Sequence, residues 1–408
     1  MASPAWEAWR AGDFGRARAE AEIAVQRGGN IDEASHLLAL AAHATGDHTG
    51  AIAACARLDS RYRRLAELNE PVFWSYVRLG DMNAAFAFAR QCGMNKNRVT
   101  RRRLKLAAEK PLGVSMAGVT ELPFTSDAFS AVMPGVQARL NGHPVVVRLD
   151  TGASFIHLTR SQAKALGIQY SGWERQFAAL AMGKISYGAA DLELGQARLC
   201  NVPVAIHADH AFPAGVIASH FGVKLGPFIG TSVFERFLAT IDSPGRRLIL
   251  SARGDSAARD AHQKRLPRRQ PTEAPFALLD SHFMIARGRL GAGRDLNLFI
   301  DSGLAAFTSE QGQAAVLASS SNLRDWRVPA PAQGRFAAIP EPVALASARR
   351  DGLTAFEVPD RAWRAFGDWH GVRVDALLSH GFLKHFVWTL DFDRMVYLFH
   401  DPIESATG

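Results

Sequence analysis

Residues 145–159 read VVVRLDTGASFIHLT, and the aspartate at their centre decides how the rest of the chain is read. Asp150 closes an apolar run and precedes Thr151 and Gly152, a place where an ionised group loses its water. A carboxylate removed from water is costly unless it is paired or hydrogen-bonded. The valine-rich run before it reads as a strand, and Thr-Gly after it favours a turn. By itself the stretch fits a catalytic carboxylate and a turn-forming one equally well.

A second copy weighs between them. Residues 298–312 read LFIDSGLAAFTSEQG, again an apolar run, an aspartate, a hydroxyl residue and glycine. Each copy is followed at nearly the same distance by another aspartate ahead of a strand-like run: Asp242 lies 92 residues beyond Asp150, and Asp391 lies 90 beyond Asp301. At average usage an Asp-Ser/Thr-Gly tripeptide is expected on the order of 0.2 times in a chain of this length. Two copies on one internal ruler therefore point to a duplicated lobe. Asp242 and Asp391 themselves read as turn formers, because Pro-Gly or Asp-Arg follows them closely.

The first hundred residues have another texture. Gly-Asp recurs at 12–13, 46–47 and 80–81, a period of 34 residues, with an alanine five places beyond each glycine (Ala17, Ala51, Ala85) and a small residue four further on (Ala21, Cys55, Ala89). Small residues four apart share one helix face and let paired helices approach. From about Leu112 the chain turns to Val, Ile, Phe and Gly with frequent turn residues, a β texture. Residues 251–275, with few apolar side chains and three prolines, read as a linker before the β texture resumes.

Composition excludes several classes. The 408 residues are 48% hydrophobic and 21% charged, as in ordinary globular chains. The formal charge of +8 is concentrated in RVTRRRLK (98–105) and QKRLPRR (263–269), a connector and a linker rather than one basic face, so no nucleic-acid partner is expected. Cys55, Cys92 and Cys200 lack the close spacing of a disulfide framework or a cysteine metal site. His207 and His210 have HxxH spacing without an obvious third ligand, so no metal is expected. No run of ~18 apolar residues exists to span a membrane. The N-terminus has no apolar core behind a basic start, which predicts a cytoplasmic location, or a periplasmic one if a leader has been removed.

The doubled tripeptide, the apolar pair before glycine in Phe228, Ile229 and Gly230, and LELGQARLCNVPVAI at 192–206 resemble the aspartic peptidases of the pepsin and retropepsin type, especially bacterial retropepsin-like proteins, over about residues 113–400. Residues 3–105 resemble the tetratricopeptide family, whose period is also 34. Together these imply a multidomain α plus β chain: a TPR-like helical domain (1–110), lobe one (111–252), a basic linker (253–275) and lobe two (276–408) of a bilobal, mainly-β fold. The resemblance makes Asp150 and Asp301 a catalytic dyad that shares one proton. The ionised partner would take a proton from water while the protonated one donates to the scissile carbonyl, with no cofactor. It implies that Thr151 and Ser302 cross-link the two loops, that Gly152 and Gly303 let loop amides reach the carboxylates, and that Tyr187 is a flap aromatic or else an ordinary strand tyrosine. A protein or peptide would be the substrate, and the helical repeats would recruit a substrate or partner.

Two departures from the pattern carry expectations of their own. Ala153 and Leu304 stand where pepsin-like enzymes often place a hydroxyl donor, so the dyad should titrate higher and work nearer neutral pH than in pepsin-like sites. Lobe two has Leu377, Leu378 and Ser379 where two apolar residues and glycine are wanted, and the Ser379 side chain is expected to press on the loop carrying Asp301. A catalytically inactive peptide-binding scaffold is the rival reading.

Overall fold

The computed structural model describes residues 3–28, 31–96, 101, 109–170, 174–175, 184–209, 221–267, 270–309, 312–330, 335–364, 368–369 and 371–400. Among the described residues, the helical region holds three hairpins, α1 (Pro4–Arg10) with α2 (Phe14–Gln26), α3 (Ile31–Ala44) with α4 (His48–Cys55), and α5 (Asn69–Arg78) with α6 (Met82–Gln91). Each Gly-Asp forms the turn. Gly12, Gly46 and Gly80 take φ of +73°, +85° and +78°, which an L side chain resists. Asp13, Asp47 and Asp81 then cap the second helix, accepting the amides of Arg16, Gly50 and Ala84 at 3.2, 2.8 and 2.9 Å. Ala17, Ala51 and Ala85 are fully buried where the helices meet.

The β part divides as the duplication requires. The first half holds β1 (Gly113–Ser115), β2 (Val119–Pro123), β3 (Gly135–Leu140), β4 (His143–Leu149), β5 (Ile156–Thr159), α7 (Arg160–Ala165), β6 (Glu174–Arg175), β7 (Lys184–Leu194), β8 (Ala197–His207), β9 (Phe228–Ile229), α8 (Thr231–Phe234), β10 (Phe237–Asp242) and β11 (Arg247–Ala252). After α9 (Ser256–Gln263), the second half begins with β12 (Thr272–Leu279), β13 (Phe283–Leu290), β14 (Arg294–Ile300), β15 (Thr308–Ser309), β16 (Gly312–Gln313), β17 (Val316–Ser319) and α10 (Ser320–Asp325). It continues through β18 (Phe336–Ala338), β19 (Val343–Leu345), β20 (Ala348–Arg350), β21 (Thr354–Val358), α11 (Asp360–Trp363), β22 (Asp368–Trp369), β23 (Val372–Arg373), β24 (Ala376–Leu378), α12 (His380–Leu383), β25 (Val387–Asp391) and β26 (Val396–His400).

In each lobe the strand before Asp-Ser/Thr-Gly pairs in parallel with a short later strand, β4 with β9 and β14 with β24. The lobes are joined by a sheet of order β12-β26-β25-β10-β11-β2. Its centre is the antiparallel pair β10–β25, where Thr240 faces Thr389 and their hydroxyls lie 2.6 Å apart. The two halves of the internal ruler thus meet at a local two-fold.

Residues 253–275 are more than a linker. Asp255 caps α9, and His262 on its buried face lies 2.7 Å from the Thr240 hydroxyl and 3.0 Å from that of Ser251. Arg259 reaches the buried Asp391 at 2.8 Å. Ala258 and His262 are the helix's only buried residues, so the segment carries almost no apolar signal to read.

The helical region is packed onto the lobes. Residues Ser35 to Ala44 of α3 are all buried, and the helical core is continuous with Ala277, Leu279, Phe299 and Leu377 of lobe two. At the first turn, a Cβ added to Gly12 would lie 2.1 Å from Oδ1 of Asn297 on β14. On the other side, the Trp74 ring of α5 is 6.0 Å from that of Phe155 in lobe one. Among the described residues, no helix is long and apolar enough to cross a membrane.

Candidate active site

Two buried strands, β4 and β14, deliver Asp150 and Asp301 to turns that face one another. The backbone amide of Asp150 donates to the carbonyl of Ile229 at 3.1 Å, and that of Asp301 to the carbonyl of Leu378 at 2.9 Å, so each loop hangs from its parallel neighbour. Asp150 and Asp301 are only 9% and 8% exposed. Each accepts the amide of the glycine two residues on, Gly152 at 3.0 Å and Gly303 at 2.9 Å.

The loops are locked to each other by two hydroxyls. The Thr151 amide donates to Ser302 Oγ at 3.0 Å, and the Ser302 amide donates to Thr151 Oγ1 at 3.0 Å. Thr151 Oγ1 donates onward to the Ile300 carbonyl at 3.3 Å, and Ser302 Oγ to the Leu149 carbonyl at 3.2 Å. Both hydroxyls therefore accept and donate across the two-fold, and neither leaves a buried polar atom unmatched. The glycines are needed on steric grounds. A Cβ on Gly152 would fall 2.1–2.4 Å from the Asp301 carboxyl, and one on Gly303 would fall 2.2–2.4 Å from that of Asp150.

This arrangement sets the electrostatics. The two carboxyls lie together where the loops meet, each against the opposite loop's glycine. Burial pushes Asp301 up to about 6, against the opposing pull of the Gly303 amide and of Asp150. Burial, then the adjacent Asp301 charge, holds Asp150 well above the usual carboxylate range, while the amides of Gly152 and Ala153 oppose the rise. Two carboxyls so placed share one proton and titrate as a unit.

Both departures in lobe two are accommodated. The expectation that Ser379 presses on the Asp301 loop is not met: Ser379 is fully buried, its Oγ donates to the Ala314 carbonyl and accepts the Gly381 amide at 2.9 Å. The reason is loop length. Five residues separate Asp150 from the start of β5, but fourteen separate Asp301 from the start of β17, and the extra length carries the β15–β16 pair. In lobe one the chain turns tightly, so a Cβ on Gly230 would meet the Ala153 carbonyl oxygen at 2.4 Å. Leu304 points into the core shared with the helical region and is 4% exposed.

Other expected residues lie elsewhere. Tyr187 is buried on β7 with Phe155, Ile185 and Ala205, against Trp74 of the helical region. His207 stacks on His157 at 5.0 Å, both held neutral by burial. His210, and the basic run 98–105 apart from Arg101, lie outside the described residues, among which no cluster of metal-binding side chains occurs. Asp242 and Asp391 sit at turns, accepting the amides of Gly245 at 2.7 Å and Asp393 at 3.1 Å.

Sequence reasoning missed one buried cation beside the site. Arg148 is 1% exposed and donates to Asp127 and Ser130, both at 2.9 Å, bracing the segment that precedes β3. Its signal was the arginine inside VVVRL, but the partner lies 21 residues earlier.

Residues 136–221, from β3 past the first Asp-Thr-Gly, match the family model described as aspartyl protease. No curated protein matches the chain. Among solved structures, the chain is similar to a retropepsin-like aspartic protease from Rickettsia conorii (21% identity, 35% of this chain and 93% of that one, TM-score 0.24). It is also similar to an aspartic proteinase from Irpex lacteus (12% identity, 71% and 99%, TM-score 0.43). A third is conglutin gamma, a basic 7S globulin from lupine seeds (11% identity, 69% and 95%, TM-score 0.41).

Proposed function

We propose that the protein is an aspartic endopeptidase that hydrolyses peptide bonds between Asp150 and Asp301. The observation that carries this reading is the pair of buried carboxyls brought together on two reciprocally locked loops. The pair holds one proton between them, and we assign Asp301 as the ionised base and Asp150 as the carboxyl that keeps the proton. A water held between them gives a proton to Asp301 as its oxygen attacks the scissile carbonyl carbon, and Asp150 donates to the carbonyl oxygen. Collapse of the tetrahedral diol breaks the C–N bond: the proton on Asp301 passes to the leaving nitrogen and one diol hydroxyl returns its proton to Asp150, restoring the starting state.

The helical region is proposed to present a protein substrate or partner. An open groove of about 550 Å³ between α2, α3 and α4, lined by Arg18, Glu22, Val25, Leu38, Asp47 and Arg57 among others, supports that role.

Incubating the purified protein with a denatured protein library, with and without an aspartic-peptidase inhibitor, and reading new termini by mass spectrometry tests the proposal. Inhibitor-sensitive termini are the expected result. Peptide binding without any cleavage would leave the inactive-scaffold reading standing instead.

A further inference from the structure

Arg78, the last residue of α5, is buried where the helical region and both lobes converge; its side chain is 8% exposed. Its Nε donates to Glu235 Oε2 at 3.3 Å in lobe one, and its Nη2 donates to the Ser281 carbonyl at 3.0 Å in lobe two. Glu235 is itself a hub. Its carboxylate also takes Arg236 at 2.8 Å, and its backbone carbonyl accepts from Arg253, which in turn bonds Asp393 of lobe two at 2.6 and 2.9 Å. His43 of α3 backs Arg78 from the helical side at 3.4 Å.

Both ends of this junction lead to the dyad by short routes. Glu235 closes α8, its amide donating to the Thr231 carbonyl at 2.8 Å. At the other end of that helix, Thr231 Oγ1 donates to the Thr151 carbonyl at 3.2 Å, and the amides of Thr231 and Ser232 donate to the carbonyls of Ala153 and Ser154 at 2.8 and 3.0 Å. The loop carrying Asp150 is thus suspended from α8. In lobe two, Ser281 lies in the turn between β12 and β13, and β13 pairs along β14, the strand that delivers Asp301.

We propose that Arg78 is a positioning residue for the dyad: through Glu235 and the Ser281 carbonyl it fixes the two aspartate loops relative to each other, so the helical region is a built-in clamp on the lobes. Simple docking would not require it. Taking a guanidinium and a carboxylate out of water costs several kcal/mol per ion before their attraction offsets it, and apolar contacts already hold the helices in place. What a buried, directional network adds is a single geometry. Misplacement on the order of 1 Å at a reacting group can cost about 100-fold in rate, so a clamp at this junction reaches the chemistry without touching substrate.

The activity arm of the test rests on the peptidase reading. Arg78→Met, Arg78→Lys and Glu235→Gln are compared with the full-length parent, with rates expressed per active site titrated by a tight-binding inhibitor. Arg78→Met and Glu235→Gln should lower kcat at least about tenfold with KM within about threefold, since the cleft surface is intact and only the dyad geometry changes. Arg78→Lys, which keeps the charge facing Glu235 but not the fork, should recover part of kcat. Independently of activity, hydrogen exchange in residues 148–156 and 298–305 should quicken at least about tenfold in Arg78→Met and Glu235→Gln under conditions where both remain folded. Parent-like kcat per titrated site with parent-like exchange would overturn the clamp. A parent that never cleaves, with faster loop exchange in the variants, would overturn the peptidase reading and leave the clamp standing.

Discussion

At the scale of single residues, the dyad should govern both activity and stability through pH. The pair must lose one proton and keep the other to act as base and acid, and burial raises both carboxyls, Asp301 up to about 6. The rate should therefore climb as pH rises through about 6 and fall again as Asp150 ionises; an optimum below about pH 4, near the ordinary carboxylate value, would contradict this. The stability effect has the same origin. A carboxyl whose folded pKa is raised costs nothing below its unfolded value of ~4 and weighs on the fold increasingly above it. Asp301→Asn should therefore melt higher than the parent at pH 8, with the gap closing by pH 3; an equal gap at both pH values would contradict the electrostatic account. Thr151→Val removes both the acceptor of the Ser302 amide and the donor to Ile300, and should cost about 1–3 kcal/mol by urea unfolding. The carboxyls and hydroxyls were legible because a repeated tripeptide announces itself. The fit of Ser379 and Leu304 was not, because it depends on where a longer loop travels, and Arg148 was visible without its partner.

At the scale of elements, periodic signals were legible and aperiodic ones were not. The Gly-Asp recurrence located all three helix turns because each pair does two local jobs, a left-handed backbone at glycine and an N-cap at aspartate. Asp47 also takes Arg18 at 2.6 Å, so Asp47→Ala should destabilise the chain by about 1 kcal/mol, the usual size of a lost cap. A change under a few tenths in urea unfolding would show that the turn holds without it. The helix α9 escaped notice because its ties are polar and distant, His262 to Thr240 and Arg259 to Asp391, and nothing local in 253–275 announces them. Tyr187 shows the opposite limit, since spacing located it on a strand but not which neighbours enclose it.

At the scale of the whole molecule, the duplicated ruler foretold two lobes, and the strand pair β10–β25 is where it closes. The docking of the helices on lobe two was hidden, although LLALAAHA within α3 carried a trace of it: a helix apolar on every side has to be covered on every side. Removing residues 1–110 would uncover Leu279, Phe299 and Leu377, so the truncated lobes should bind a hydrophobic dye and self-associate, where the full chain does not. A well-behaved monomer from the truncated form would show the helical region to be an appendage. The claim on which the rest depends is that Asp150 and Asp301 act together on one water. The most direct measurement is the cleavage rate of a single peptide substrate by the parent, Asp150→Asn and Asp301→Asn at one pH near 6. The account predicts cleavage by the parent and loss of at least about 1000-fold in each variant, because one carboxyl cannot supply both base and acid. Parent-like cleavage by either variant would contradict it.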